Sequence, residues 1–269
     1  LREAGITRLS LGVQSFRDKE LSRLGRRHDA GRARRAAGEA RRAGFENLSL
    51  DLMMWLPGQT RAQWRFSVER LIEVSPDHAS LYLLEVYPNA PLREDMARAG
   101  WSQAPDDDAA EMYLEAMDRL EQEGYRQYEI SNVARPGRKC RHNLKYWQDG
   151  AWLAFGSGAH GARQGLRWRN VAGTADYVTR VRSQLDVRAE TRRLTREEAA
   201  AEAAFMGLRL VEGIDAEAIG RRYGLDLAAR YGEPLAPARE AGLLRVEGDR
   251  WRLTREGFLL STEILAVFV

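Results

Sequence analysis

The chain has 269 residues, a net charge of +3 and a single cysteine. That is long enough to bury a core, and it excludes an intrachain disulfide framework. No window approaches the eighteen or so apolar residues of a membrane span, so a cytoplasmic protein without a membrane span is expected. Lysine occurs only at Lys19, Lys139 and Lys145. The dense arginine run Gly31 to Gly44 has small apolar residues at helical spacing, the pattern of a solvated helix face, and no nucleic-acid partner is expected.

The opening "LREAG" reads as the last turn of a helix stopped by Gly5. A fold rarely starts on a helix end running into a buried strand, so the front of the protein is expected to be missing. Strand candidates follow at Thr7–Val13, Asn47–Met53, Ala79–Val86 and Arg126–Ser131. Between them lie helical patterns over Arg61–Val74, with Thr60 as N-cap, and around Asp106–Glu123. Strands alternating with helices predict an α/β fold with a parallel sheet over residues 1–131. Four strands are too few to close a barrel, which needs about eight, so a partial (β/α) barrel is expected.

Residues 132–193 read as an irregular, glycine-rich connecting segment containing "GSGAHG". From 194 to 269 three helical patterns and a short hairpin predict a winged-helix-like α+β domain, with Thr195 as the first N-cap. Its third helix, around Leu235–Ala241, offers only Arg239 as a base-reading cation. A packing role is therefore expected in preference to DNA binding.

In such sheets ligands sit beyond the carboxyl ends of the strands. There the sequence places Gly12, Gln14 and Arg26, and Asp51 interrupts an apolar run. A carboxylate in a strand needs a partner. Asp51 is read either as a structural pair with Arg26 or, with Gln14, as a holder of the polar part of a nucleotide-like cofactor. "KCRHNLKYW" (Lys139–Trp147) holds the lone thiol, Cys140, beside His142. It is read as a helix start with capping Asn and His and core aromatics, or as an imidazole ligand flanked by Tyr146 and Trp147. His160 in "GSGAHG" is a second candidate ligand, and His28 and His78 read as loop and surface residues.

The segments "RLSLGVQSF", "GRRHDA", "NLSLDLMMWLPGQT", "SLYLLEVYPNAPL", "YRQYEISNVARPGRKCRHNLKYW" and "EGFLLS" together resemble radical SAM enzymes related to oxygen-independent coproporphyrinogen III oxidase. The likeness is strongest to the HemW-type subgroup of haem chaperones. Ser15 after Gln14, where oxidases tend to carry aspartate, and the "HNLKYW" element point to the chaperone side; the oxidase is the alternative. The resemblance implies that Gln14, Arg26, Asp51 and, through its backbone, Glu85 contact S-adenosylmethionine. It implies that His142, Asn143, Tyr146 and Trp147 bind haem, with His142 on the iron, for delivery to haem-receiving proteins. Trp55 departs from the family, which usually has glycine there. The family's CxxxCxxC loop for a [4Fe–4S] cluster is also absent, and one thiolate cannot hold a cluster. The cluster is expected only in an intact parent, and this chain is expected to be inactive in radical chemistry by itself.

Overall fold

The structure, a computed structural model, describes residues 1–269. It divides into two compact units, Leu1–Lys139 and Cys140–Val269. The first unit runs β1 (Arg8–Gln14), α1 (Asp18–Arg23), α2 (Ala30–Arg42), β2 (Asn47–Met54) and α3 (Arg61–Val74). It continues with β3 (His78–Leu83), α4 (Pro91–Ala99), α5 (Asp106–Gln122), β4 (Arg126–Gln127) and β5 (Asn132–Ala134). Its sheet has the order β1-β2-β3-β5-β4. β1, β2 and β3 are parallel, whereas β5 is antiparallel to both its neighbours.

The two sheet faces differ in chemistry because strand side chains alternate. On one face Leu48, Leu50, Leu52, Ala79, Leu81 and Val133 are buried. α3 and α5 lie against β2, and Trp64 Nε1 donates to Met112 O at 2.8 Å between these helices. α3 starts with a capping box in which Thr60 and Gln63 satisfy each other's backbone N–H groups. The register puts Arg8, Ser10, Asn47, Ser49, Asp51, His78, Ser80 and Asn132 together on the other, polar face.

The strand expected over Arg126–Ser131 is corrected: only Arg126–Gln127 is strand. The chain turns back over Tyr128–Asn132, with Tyr128 N donating to Asn132 O at 3.1 Å and Leu81 N to Ser131 O at 2.8 Å. This places the turn beside the end of β3, at the carboxyl end of the parallel strands.

In the second unit, α6 (Arg141–Trp147) precedes β6 (His160–Arg163), β7 (Leu166–Asn170), α7 (Thr174–Arg182) and β8 (Arg188–Arg193). The strands form an antiparallel sheet β6-β7-β8, so much of the stretch expected to be irregular is ordered sheet and helix. Next come α8 (Arg196–Gly207), β9 (Ile214–Asp215), α9 (Ala216–Tyr223), α10 (Leu227–Tyr231) and α11 (Ala236–Glu240). β10 (Leu244–Glu247), β11 (Arg250–Leu253), α12 (Arg255–Leu259) and α13 (Ser261–Leu265) end the chain. A capping box of Thr195 and Glu198 starts α8. The helices with the β10-β11-β9 sheet give the winged-helix-like arrangement. No helix is long and apolar enough to cross a membrane.

Candidate functional site

At the carboxyl end of β1, Gln14 adopts φ 67°, a left-handed conformation that reorients its amide. A Cβ on Gly12 would come within 2.9 Å of Gln14 Nε2 and 3.7 Å of an Arg26 guanidinium nitrogen. The two side chains thus converge over a spot that only glycine leaves open. Gln14 Oε1 is buried without a hydrogen-bond partner, an acceptor the protein itself does not satisfy.

The loop carrying Gln14 is held from beneath by buried polar groups. Ser15 Oγ donates to Glu20 Oε2 at 2.5 Å, and Gln59 Nε2 donates to the same oxygen at 3.1 Å. Ser67 Oγ lies 3.4 Å from Ser15 Oγ, and Arg17 is 3.3 Å from Glu20. Burial pushes the Glu20 carboxyl upward, opposed by the hydrogen bonds from Ser15 and Gln59 and by Arg17 and Arg23. Ser15 and Gln59 therefore tie the β1 loop to the "LPGQT" loop.

Asp51 is half-buried on β2 and accepts from Ser10 Oγ at 3.0 and 3.3 Å. Burial raises its pKa, while the hydroxyls of Ser10 and Ser80 and the charge of Arg8 lower it. Its partners are serines, so the alternative of an Asp51–Arg26 structural pair is corrected. Glu85 lies beyond β3, exposed, and accepts from Tyr87 Oη at 2.9 Å. Trp55 sits at φ 62°, a backbone region that favours glycine. Its indole compensates by donating to Ala104 O at 2.8 Å.

Two chemical residues were not recognised in the sequence. His78, read as a surface residue, is 1% exposed. Its Nδ1 meets Ser49 Oγ at 2.8 Å and its Nε2 meets Tyr128 Oη at 2.8 Å. Burial, with the nearby Arg8 charge, depresses its pKa to about 3, so the ring stays neutral. Glu129 is 0% exposed in the turn beside β3. Its Oε2 accepts from Ser131 N at 3.2 Å, and Oε1 has no partner. Burial raises its pKa to about 7 against the hydrogen bonds from Ser131 and Asn132. The alternation of the "QYEISN" stretch was the available signal, hidden by treating it as one continuous strand.

In the second unit, Cys140 is the N-cap of α6, and its Sγ donates to Asn143 Oδ1 at 3.5 Å. His142 is exposed, and its Nε2 is 2.9 Å from Tyr146 Oη one turn later. The Tyr146 ring stands at 60° to Trp152, with centroids 4.7 Å apart. His142, Tyr146 and Trp152 thus form an aromatic ladder, since the His142 and Tyr146 centroids are 4.9 Å apart. Trp147 is half-buried, with Nε1 sealed and unpartnered and Arg209 5.9 Å over its ring. α6 has no fully buried residue, and its aromatics Tyr146 and Trp147 are half-buried. His160 is exposed on β6.

Comparison with known proteins matches residues 1–71 to the Radical SAM superfamily and residues 194–260 to the HemN C-terminal domain. The whole chain is 36% identical to the heme chaperone HemW of Bacillus subtilis (strain 168), covering 71% of that protein. It is 30% identical to the heme chaperone HemW of Lactococcus lactis subsp. lactis, covering 70% of it. Among solved structures, the coproporphyrinogen III oxidase HemN of Escherichia coli, a radical SAM enzyme, superposes with a TM-score of 0.84. That likeness is at 24% identity over 99% of this chain and 65% of the oxidase, and it establishes the α/β radical SAM fold. With fold, motifs and similarity along the whole of this chain in agreement, the chain belongs to the HemW family of the radical SAM superfamily.

Proposed function

We propose that the chain is a haem chaperone of the HemW type, binding haem at the "HNLKYW" helix and passing it to haem-receiving proteins. The observation that carries this reading is His142: an exposed imidazole on α6, backed by the Tyr146–Trp152 ladder. An imidazole is a good axial ligand for haem iron, and aromatic rings suit the face of a macrocycle. Tyr146 Oη lies 2.9 Å from His142 Nε2. Binding iron through that nitrogen exchanges this hydrogen bond for a metal bond.

Gln14 and Arg26 at the end of β1 and Asp51 within β2 fit S-adenosylmethionine. Gln14 supplies an unsatisfied acceptor, Arg26 a cation and Asp51 a carboxylate. Bound there, S-adenosylmethionine supplies a sulfonium nucleoside whose amino-acid and ribose groups match these partners, with Glu85 contributing backbone. The residues of this chain do not fit a [4Fe–4S] cluster. Cys140 is the single cysteine, and no group of three or more His, Cys, Asp or Glu side chains is placed to hold a metal ion. No radical step is assigned to the chain. The oxidase alternative is supported by the shared fold and the HemN C-terminal domain match, and Ser15 and the "HNLKYW" helix both weigh against it.

Haem titration of the chain, followed at the Soret band, tests the reading. Wild type gives a shifted, saturable band, and His142→Ala weakens binding by about ten-fold, the loss of roughly 1.4 kcal/mol. Equal titrations of wild type and His142→Ala remove His142 from the site.

A further inference from the structure

The second unit contains a cleft of about 430 Å³ between the β6-β7-β8 sheet and the helices α6 and α8. Its volume is within the range of small-molecule sites. Tyr146 and Trp152 line it with Met206 of α8, and His160, Arg167 and Arg169 reach it from the sheet. His160 and Arg169 are register partners on adjacent strands, so imidazole and guanidinium share one sheet face side by side.

Three of the four histidines are engaged by hydrogen bonds. His28 Nε2 meets Val13 O, both His78 nitrogens are taken, and His142 Nε2 meets Tyr146. His160 alone has a ring that no hydrogen bond engages, and it is exposed at the cleft. Arg169 has an Nε sealed from solvent without an acceptor, while its terminal nitrogen pairs with the exposed Glu190. Such a surface pair contributes little and is readily exchanged for a ligand carboxylate. Arg167 is committed to Glu202 and Asp149, with its guanidinium 5.4 Å from the Trp152 ring centroid. A free imidazole, aromatic walls, a thioether and an exchangeable guanidinium together match a flat iron-bearing macrocycle with carboxylate arms.

We propose that this cleft is an iron-porphyrin subsite separate from the His142 surface, with His160 as its iron ligand and Arg169 facing a propionate. The proposal rests on the haem-carrying reading above. Tyr146 belongs to both places, since its hydroxyl holds His142 and its ring lines the cleft. Cargo on one side therefore meets a ring that borders the other.

The test is a Soret titration of the wild-type chain, His142→Ala, His160→Gly, and His160→Gly with added imidazole, with circular dichroism confirming that each variant is folded. Expected are two haem-binding phases in wild type, of which His142→Ala weakens one about ten-fold and retains the cleft phase, while His160→Gly weakens the cleft phase about ten-fold and recovers it on adding imidazole. A His160→Gly variant that titrates like a haem-binding wild type overturns the subsite and leaves the chaperone reading standing. A wild type with no Soret shift overturns both.

Discussion

Replacing Glu129 by glutamine isolates one buried carboxyl. Glu129 is 0% exposed, with Oε1 unpartnered, and burial raises its pKa from 4.5 to about 7. A group that binds its proton more tightly when folded stabilises the fold fully below its unfolded pKa. That contribution is lost as pH rises through the folded value. A difference of roughly 2.5 units at about 1.4 kcal/mol per unit makes the wild type about 3 kcal/mol less stable at pH 8 than this residue allows at pH 4. Glutamine matches the neutral acid in shape, can accept from Ser131 N and does not ionise. In urea unfolding the two proteins should coincide near pH 4 and diverge towards pH 8, with Glu129→Gln the more stable. Comparison at each pH cancels every other titrating group. Parallel stability profiles, or a variant less stable at pH 8, would refute the reasoning.

His78, held neutral with a pKa depressed to about 3 from 6.5, contributes stability present above pH 6.5 and lost as pH falls towards 3, up to about 5 kcal/mol. The urea midpoint should therefore drop across that window, and less steeply in His78→Gln. Ser15→Asp places a second carboxylate against buried Glu20, at a position 0% exposed; a loss of about 3 kcal/mol or more in the urea-derived stability is expected. Gly161→Ala drives a Cβ into the Trp168 ring, its register partner. Overpacking there should cost about 1–3 kcal/mol, seen as a lower melting temperature.

What the sequence disclosed followed the strength of local signals. Thr60 and Thr195 were legible as caps because a hydroxyl three residues before Gln63 or Glu198 has a single local use. The parallel strands were legible from the apolar runs around Leu48–Leu52, which both faces of a ladder cannot hide. β7 and β8 were not, because "LRWRN" and "RAETRR" carry arginines where a strand normally shows branched apolar residues. Their pairs include Arg169–Glu190, an ion pair that only the register reveals. His78 was misread because "SPDH" looks like a loop; its burial depends on Ser49 and Tyr128, 29 and 50 residues away. At the strand ends Gln14 and Asp51 could be named from residue type. The Ser15–Glu20–Gln59 network that holds their loop depends on tertiary proximity, to which one sequence gives no key.

A haem chaperone carries haem in order to give it away. The direct measurement is to load the full chain with haem, mix it with an apo-haemoprotein reporter and follow the Soret spectrum. The chain's band should decay while the reporter's holo spectrum grows in equal amount, with His142→Ala delivering less haem per molecule. A loaded chain that never yields haem to the reporter, or a chain that takes up none, would contradict that role.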